Sequence, residues 1–260
     1  MNQNSSSPHT PRLRERIAAA WRRLPWLARI FDWIGGHELP VLLAALGLAV
    51  GVWGFIEVAD EVTEGDSREF DEWAVRALRR PEDLGRTIGP AWLEEVGRDL
   101  TALGGMTVLA LVIAAIGGFL WLRKLYGAMW LMLAATIGGW ALSTGLKLGF
   151  ARDRPALVPH LSLVHTSSFP SGHSMLSAVV YLTLGALLAR VVHERTLKAY
   201  FLTVALSITV LVGVSRVYLG VHYPTDVLAG WVAGTSWALL CWLIARYLQR
   251  RGKVEEDPAL

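Results

Sequence analysis

Three short polar clusters mark the stretch from residue 147 to residue 226: KLGFARDRP (147–155), PSGH (170–173) and SRVYLGVHYPTD (215–226). Strongly apolar runs separate and flank them. Together the clusters supply several cations, two histidines, hydroxyl groups, a glycine and a carboxylate close to a histidine. This set of side chains is typical of a site that binds a phosphate group and cleaves a bond at its phosphorus atom.

The apolar runs predict a membrane protein. Apolar residues make up 53% of the chain and charged residues 18%, and the mean hydropathy is +0.39. A helix needs about 20 mostly apolar residues to cross the hydrocarbon core of a bilayer, and uncharged intervals of about that length recur along the chain. We therefore predict an all-α integral membrane protein with six transmembrane helices, at about 39–56, 101–122, 125–146, 173–192, 199–219 and 225–248.

The positions of the basic residues predict how the chain crosses the membrane. Of the 25 Lys and Arg residues, 15 lie before the first span, at or after the end of the sixth, or at the connections between spans two and three and between spans four and five, which leaves 10 on the other side. Short loops rich in Lys and Arg stay in the cytoplasm. Both termini are therefore predicted to be cytoplasmic and all three polar clusters extracytoplasmic. The net charge of +3 is a topology signal and gives no support to nucleic-acid binding.

The remaining composition sets the domain boundaries. The single cysteine, Cys241, falls within the sixth span, which excludes a disulfide framework and a cysteine-based metal site. The first long apolar run begins near Leu39 and is long enough to remain as a span, so we predict no cleavable signal peptide. Residues 1–38 are predicted to be a polar leader and a basic interfacial helix, residues 39–248 a six-span domain, and residues 249–260 a cytoplasmic tail.

Residues 57–100, between spans one and two, differ from the rest of the chain. They hold 13 acidic residues and six arginines. Phe70, Trp73 and Ala77 recur at helical spacing, and Trp92 and Val96 begin a second apolar stripe. We predict two short amphipathic helices at the extracytoplasmic surface. A lid or a lipid entrance is one interpretation, and a plain interfacial linker is the simpler one, because amphipathic stripes usually only pack.

The first polar cluster places cations at the outer end of span three. Lys147 by itself is equally explained by a lysine that reaches toward lipid headgroups. The run from Arg152 to Arg154 before Pro155 is harder to explain in that way, because proline favours an extended loop there. An arginine fork matches two phosphate oxygens, and a lysine adds a point charge.

The second cluster opens span four. Free N–H groups at a helix start bind anions, Gly172 allows the backbone to approach a phosphate closely, and the Ser171 hydroxyl can donate. His173 then stands where an imidazole can protonate a leaving oxygen. Taken alone, the string is a weak motif, and an ordinary helix N-cap explains it equally well.

The third cluster holds Arg216 near the end of span five, with His222 and Asp226 on either side of Pro224. One turn around this proline can bring the carboxylate to the imidazole. A carboxylate at Nδ1 fixes the tautomer and leaves Nε2 free as a nucleophile. The alternative is an aspartate that only caps the helix dipole.

In combination, the three clusters resemble the signature of the type 2 phosphatidic acid phosphatase superfamily, which they match without departure: Lys147-x6-Arg154-Pro155, Pro170-Ser171-Gly172-His173 and Ser215-Arg216-x5-His222-x3-Asp226. That family includes membrane lipid phosphatases and shares its core with vanadium haloperoxidases and bacterial acid phosphatases. The match covers residues 147–226 directly, and the six-span layout extends it to about 39–248.

The resemblance implies a role for each matching residue. His222 would attack phosphorus and form a phosphohistidine, Asp226 would orient it, and His173 would protonate the leaving oxygen and then activate water. The phosphoryl oxygens would be held by Lys147, Arg154, Ser171, Gly172 and Arg216. Such cations can neutralise developing charge. Since the sequence offers no other cluster of histidines and carboxylates with metal spacing, we predict turnover without a metal or another cofactor.

The predicted function is hydrolysis of a lipid phosphate or pyrophosphate at the outer face of a bacterial cytoplasmic membrane. By resemblance, the candidate substrates are undecaprenyl pyrophosphate, phosphatidylglycerol phosphate and phosphatidic acid. A lipid phosphotransferase would have the same site, and an anionic-lipid transporter is the rival from another class. Anion binding alone gives no reason for a histidine backed by a carboxylate, and six spans argue against a haloperoxidase. The oligomeric state stays open.

Overall fold

A computed structural model describes residues 39–162 and 166–251. The predicted leader, most of the predicted tail and His165 lie outside these residues. The chain divides into two compact units, Met1–Ala44 and Ala45–Leu260; the described part of the first, Leu39–Ala44, is helical. In chain order the elements are α1 (Leu39–Glu64), α2 (Arg68–Ala77), β1 (Arg79–Arg80), β2 (Asp83–Thr87), α3 (Trp92–Ala102), α4 (Met106–Leu122), α5 (Tyr126–Phe150), α6 (Gly172–Val191), α7 (Arg195–Tyr218) and α8 (Pro224–Arg250).

Within the described residues, five helices are long and apolar enough to cross a membrane, namely α1, α5, α6, α7 and α8. Helices α3 and α4 meet the same criterion as a pair that is bent by 47° at the break between them. Exposed apolar side chains on the helices, such as Leu122, Trp130 and Leu148, suit a surface that faces lipid rather than water. The protein is therefore a multi-pass membrane protein, and the predicted all-α fold with six spans is confirmed when the bent pair is counted as the sixth.

Span two differs from its predicted form, because the chain breaks within the predicted interval 101–122. Helix α3 ends at Ala102 and α4 begins at Met106. A Cβ added at Gly104 would lie 2.5 Å from the Val212 side chain and 3.2 Å from the His173 carbonyl oxygen. The break therefore lets the chain pass close to the start of α6, next to one of the predicted site residues.

The segment between spans one and two contains the two predicted amphipathic helices, α2 and α3, and also a hairpin that the sequence did not predict. Strands β1 and β2 pair antiparallel with an irregular register. Arg80 donates from Nε to the Thr87 carbonyl and from Nη2 to the Gly89 carbonyl. The side chain of one strand thus satisfies carbonyls near the end of the other. Helix α1 continues through the acidic residues at its end to Glu64, eight residues beyond the predicted end of span one.

Helix α6 is the most buried of the five single spans and packs against α5, α7 and α8. Glycines on α8 allow close contact with it. A Cβ added at Gly230 would lie 2.7 Å from the Ser171 carbonyl oxygen, and one at Gly234 would lie 2.5 Å from the Met175 carbonyl oxygen. Small residues at helix crossings in membranes serve this purpose. The close approach brings the start of α8 to the start of α6.

Three aromatic rings fix the loop that precedes α6. Phe169 is fully buried, and its ring centroid lies 4.9 Å from that of Phe150 and 6.0 Å from that of Phe55. Edge-to-face and tilted pairs at these distances stabilise packing beyond the area that they bury. The loop residues Ser168 and Ser171 are thereby held against the ends of the helices.

Candidate active site

The predicted site residues come together where α5 and α7 end and α6 and α8 begin. The end of α5 lies close to the start of α6, since a Cβ on Gly172 would lie 3.3 Å from the Lys147 side chain. The start of α6 meets α8 directly, because the Ser171 N–H donates to the Asp226 carbonyl oxygen over 2.9 Å. The contacts described below join the others to this cluster, so the structure assembles all eight predicted residues: Lys147, Arg154, Ser171, Gly172, His173, Arg216, His222 and Asp226.

His222 is the centre of the cluster and is 1% exposed. Its Nδ1 lies 3.4 Å from Oδ2 of Asp226 and 3.3 Å from Oγ of Ser168. Its Nε2 lies 3.0 Å from Nη1 of Arg154. Because a guanidinium can only donate, Nε2 must accept there. The unshared pair is therefore on Nε2, and the proton of a neutral ring is on Nδ1.

Asp226 is held by several donors besides the imidazole. Its Oδ1 accepts from Arg152 over 2.6 Å, and its Oδ2 accepts from the Tyr223 N–H over 2.9 Å and from the Ser168 hydroxyl. The contact with Tyr223 is the helix-capping role that was the alternative explanation. The structure shows that Asp226 caps α8 and also contacts His222.

The cations of the first cluster reach the same place from α5 and the loop after it. Lys147 donates from Nζ to the Ser167 carbonyl over 2.6 Å. Arg154 donates to the carbonyls of Thr166 and Val221 over 2.8 and 2.6 Å. Both side chains are therefore anchored by backbone carbonyls of loops rather than directed toward lipid headgroups, which was the alternative explanation for Lys147.

The start of α6 agrees with both interpretations of PSGH. The Ser171 hydroxyl accepts from the Ser174 N–H and hydroxyl over 3.4 and 2.9 Å, so it is an N-cap. His173, in the first turn, interacts electrostatically with Arg216, His222 and the first-cluster cations. The phosphate-binding and proton-transfer roles of these residues stay predictions.

Arg216 is 1% exposed and projects from the last turn of α7. Its Nη1 donates to the Thr101 hydroxyl over 2.8 Å, whereas its buried Nε has no hydrogen-bond partner. A buried donor that is left unpaired costs stability, and a phosphoryl oxygen would supply the missing acceptor. Thr101 lies at the end of α3, so the bend between α3 and α4 positions this guanidinium.

Several residues of the site were not among the predicted ones. Ser168 and Thr225 lie close to predicted residues in the sequence, but nothing in their spacing distinguishes them. Arg152 belongs to the run before Pro155 that the sequence singled out, although only Arg154 of that run was predicted to bind phosphate. Asp71 lies in the acidic segment, about 80 residues before Arg152, and Arg152 donates from Nη2 to its Oδ2 over 2.8 Å. Such a contact has no local signal because the residues meet only through the tertiary fold.

Burial sets the protonation of the groups outside the spans. Burial lowers the pKa of His222 to about 3, although Asp226 acts in the opposite direction, so the imidazole is neutral near pH 7. Burial also lowers the pKa of Arg154. For Arg152, burial would lower the pKa, but Asp226 and Asp71 raise it above its usual value. A neutral histidine thus lies beside charged guanidinium groups.

The polar groups that the structure describes can also be checked for a metal centre. Within residues 39–162 and 166–251, no three His, Cys, Asp or Glu side chains are grouped so that they could hold a metal ion. Nε2 of His160 lies 2.7 Å from the Pro155 carbonyl, so this histidine contacts its own loop. Turnover without a metal stays a prediction.

Fold and site together define a multi-pass membrane protein that gathers two histidines, a carboxylate and several cations where its helices begin and end. Residues 127–250 match the model of the PAP2 superfamily. Phosphatidylglycerophosphatase B of Bacillus subtilis is 42% identical over 153 residues, which cover 56% of this chain and 72% of that protein. The chain belongs to the PAP2 superfamily, as the sequence motifs predicted.

Two further comparisons agree. The crystal structure of a transmembrane PAP2-type phosphatidylglycerolphosphate phosphatase from Bacillus subtilis superposes with a TM-score of 0.70 at 33% identity, covering 78% of this chain and 98% of that one. An undecaprenyl-diphosphatase of Sulfolobus acidocaldarius is 41% identical over 70 residues, 27% of this chain and 29% of that protein. These matches confirm the predicted class of enzyme, a lipid phosphatase.

Proposed function

We propose that this protein hydrolyses a lipid phosphate or lipid pyrophosphate through a phosphohistidine at His222, without a metal, at the extracytoplasmic face of the membrane. The observation that carries the proposal is the orientation of the His222 ring. Its Nδ1 faces Asp226, and its Nε2, with the unshared pair, faces the Arg154 guanidinium at 3.0 Å. This is the tautomer that a nucleophilic imidazole requires.

The first step forms one bond and breaks another. Nε2 of His222 attacks phosphorus, the Nε2–P bond forms, and the bond from phosphorus to the lipid oxygen breaks. His173 donates a proton to that oxygen. The imidazole gains positive charge as it is phosphorylated, and the Asp226 carboxylate stabilises this charge through Nδ1.

The second step regenerates the enzyme. His173 accepts a proton from water, the water oxygen attacks phosphorus, the Nε2–P bond breaks, and inorganic phosphate leaves. Throughout, the cations Lys147, Arg154 and Arg216 neutralise charge on the phosphoryl oxygens, as preorganised donors do in other phosphoryl-transfer sites. Since Arg154 contacts Nε2 itself, the bound phosphoryl group takes the place of this contact, and Arg154 turns to its oxygens.

A surface cavity favours a lipid over a soluble phosphate ester. The cavity measures about 700 Å³ and is lined by Thr144, Lys147 and Leu148 of α5 and by the loop that follows α5 and carries Arg154. The Leu148 side chain on this face is 79% exposed, so the cavity reaches the lipid-facing surface of the bundle. A lipid tail can remain against α5 while its phosphate enters the cationic site.

Among the candidate substrates, the relatives favour phosphatidylglycerol phosphate, because that substrate is named for the two Bacillus subtilis proteins, which cover 56% and 78% of this chain. Undecaprenyl pyrophosphate is named for a relative that covers 27% of it. The residues of the site bind the phosphoryl group that these lipids share. A substrate panel is therefore needed to rank them.

The first test measures phosphate release from phosphatidylglycerol phosphate, undecaprenyl pyrophosphate and phosphatidic acid in detergent with EDTA. We expect release that resists EDTA and falls at least about 1000-fold in His222→Ala. The matched control is His193→Ala, which changes an exposed histidine between α6 and α7. Trapping with ³²P-labelled substrate should yield an acid-labile, alkali-stable phosphoprotein in wild type and none in His222→Ala. Full activity of His222→Ala would refute the mechanism and favour a transporter or another nucleophile.

A labelling experiment tests the side of the membrane. In a Cys241→Ser background, Glu82→Cys places a thiol in the exposed β1–β2 turn, and Lys124→Cys places one in the exposed loop between α4 and α5. An impermeant maleimide added to intact cells should label Glu82→Cys and leave Lys124→Cys unlabelled until the cells are opened. The reverse pattern would contradict an extracytoplasmic site.

A further inference from the structure

Asp71 is an acidic residue of α2 whose side chain is completely buried. Its Oδ1 accepts from the Thr225 N–H over 3.1 Å, and its Oδ2 accepts from the Thr225 hydroxyl over 2.5 Å and from Arg152 over 2.8 Å. Each of these partners belongs to the active-site loops or to the start of α8. A buried carboxylate is stable only when it is paired in this way, so α2 is fastened to the site and not merely adjacent to it.

The neighbouring acid on α2 behaves differently. Glu72 pairs with the exposed Arg68 over 2.9 Å, within the same helix. Pairs of this kind, four residues apart on a surface, contribute little to stability. The acidic residues of this segment therefore differ in their contacts. Glu72 pairs within its own helix, whereas Asp71 contacts residues that are far away in the sequence.

Arg152 joins the two buried carboxylates. It donates from Nη2 to Asp71 and from Nη1 to Asp226 and Thr225, over 2.8, 2.6 and 2.9 Å. Its guanidinium carbon also lies 4.6 Å from the centre of the Tyr223 ring, a distance at which a cation is attracted to an aromatic face. Arg152 is therefore fixed on several sides, and its position depends on both acids.

The charges of this group favour catalysis. Asp71 and Asp226 contribute −2 and Arg152 contributes +1, so the group carries a net charge of −1. Without Asp71, the guanidinium would neutralise Asp226 alone, and the group would carry no net charge. Because His222 becomes positive when it is phosphorylated, a net negative group beside Nδ1 stabilises the transition state more than a neutral one.

We propose that Asp71 is a positioning residue for the His222 nucleophile, acting through Arg152 and Asp226. The acidic segment between spans one and two is then part of the catalytic apparatus, and the simpler prediction of a plain linker is replaced. The inference rests on the proposed function, since it concerns the charge that develops on His222 during phosphoryl transfer. Asp71 itself does not touch the phosphoryl site.

The test compares Asp71→Asn, which keeps the shape and removes the charge, with the matched control Glu72→Gln. We expect kcat to fall about tenfold to a hundredfold in Asp71→Asn, with KM and the inhibition constant of inorganic phosphate, the product, unchanged. Glu72→Gln should retain the kcat of wild type. Fluorescence-detected gel filtration in detergent checks that each variant is folded.

A second arm separates positioning from a general loss of structure. In an Asp226→Asn background, Asp71→Asn should cause a smaller fall in kcat than it does in the wild-type background, because the part of its effect that passes through Asp226 is already lost. A further fall of the same size in that background, a rise in KM without a change in kcat, or wild-type activity of Asp71→Asn would each overturn the inference. The kcat of wild type and of His222→Ala is measured in the same assay. If these two values do not differ, the proposed function fails. If they differ clearly and Asp71→Asn retains wild-type kcat, only the role of Asp71 is refuted.

Discussion

Replacing Arg152 by methionine tests the central charge group most directly. The change removes the cation between Asp71 and Asp226, both of which are fully buried, and it removes the hydrogen bonds of 2.8 and 2.6 Å to these acids. The bonds to Asp71 and Asp226 are charge-assisted. Methionine retains much of the apolar volume, so the loss is mainly electrostatic.

The size of the effect follows from the loss of a buried partner. Breaking a buried ion pair by removing one member costs about 3–5 kcal/mol, because the remaining charge is left uncompensated. For a domain of 150–250 residues, 1 kcal/mol corresponds to about 2–4 °C in Tm. We therefore expect Arg152→Met to lower the Tm in detergent by about 6–20 °C, and to lower kcat as Asp226 loses its orientation.

The double variant gives the sharper result. Arg152→Met leaves two adjacent carboxylates with no cation between them, and adding Asp71→Asn removes one of these charges. Stability should therefore rise again, so that the double variant has a higher Tm than Arg152→Met although it carries one more substitution. Thermal unfolding of the four proteins of this cycle measures the coupling. A Tm of Arg152→Met close to that of wild type, or a still lower Tm in the double variant, would refute the electrostatic argument.

Further predictions concern pH, packing and Arg216. Burial lowers the pKa of His222 to about 3, below its unfolded value of about 6.5. As the pH falls below about 6.5, the unfolded chain therefore binds a proton before the folded protein does, and the folded state loses stability. The loss of folding free energy caused by His222 amounts to about 2 kcal/mol at pH 5. The Tm of wild type should therefore fall more between pH 7 and 5 than the Tm of His222→Gln, and equal falls in Tm would contradict the burial argument. Gly234→Ala should destabilise the bundle by about 1–3 kcal/mol, because the new Cβ would lie 2.5 Å from the backbone of α6. At Gly145 nothing lies within 4 Å of an added Cβ, so the control Gly145→Ala should unfold at or above the wild-type Tm. Equal Tm values for the two variants would show that the crossing of α6 and α8 adjusts. Thr101→Val removes the hydrogen bond to Arg216 and should lower kcat/KM about tenfold. The control Thr107→Val, at an exposed position on α4, should leave kcat/KM unchanged. Equal kcat/KM values for the two variants would mean that Arg216 is held in place without Thr101.

The spans and the signature could be predicted from the sequence because both are local properties. A run of about 20 uncharged residues requires a helix in a bilayer, whatever the rest of the chain does. Helices α5, α6, α7 and α8 accordingly begin and end within a few residues of the predicted limits. The three polar clusters lie next to the ends of these spans. The family match depends on fixed spacings within the clusters, such as the one from His222 to Asp226.

The end of α1 and the break before α4 could not be predicted in the same way. Charge indicates where a chain leaves the hydrocarbon core, but a helix can continue into polar surroundings, as α1 does up to Glu64. The break at 103–105 depends on the close approach of Gly104 to His173 and Val212. That approach exists only after the bundle has formed.

The sequence by itself determined the membrane fold and the family, and it singled out the eight predicted site residues. The tertiary structure decided which other groups support them: Ser168 beside the imidazole, Thr101 behind Arg216, and the pair of Asp71 and Arg152 behind Asp226. The physical reason is the sequence separation of the residues that make these contacts. The hydrogen bonds from Arg152 to Asp71 and to Asp226 join residues 81 and 74 positions apart, and no periodicity or local composition records which distant charges will share a buried site.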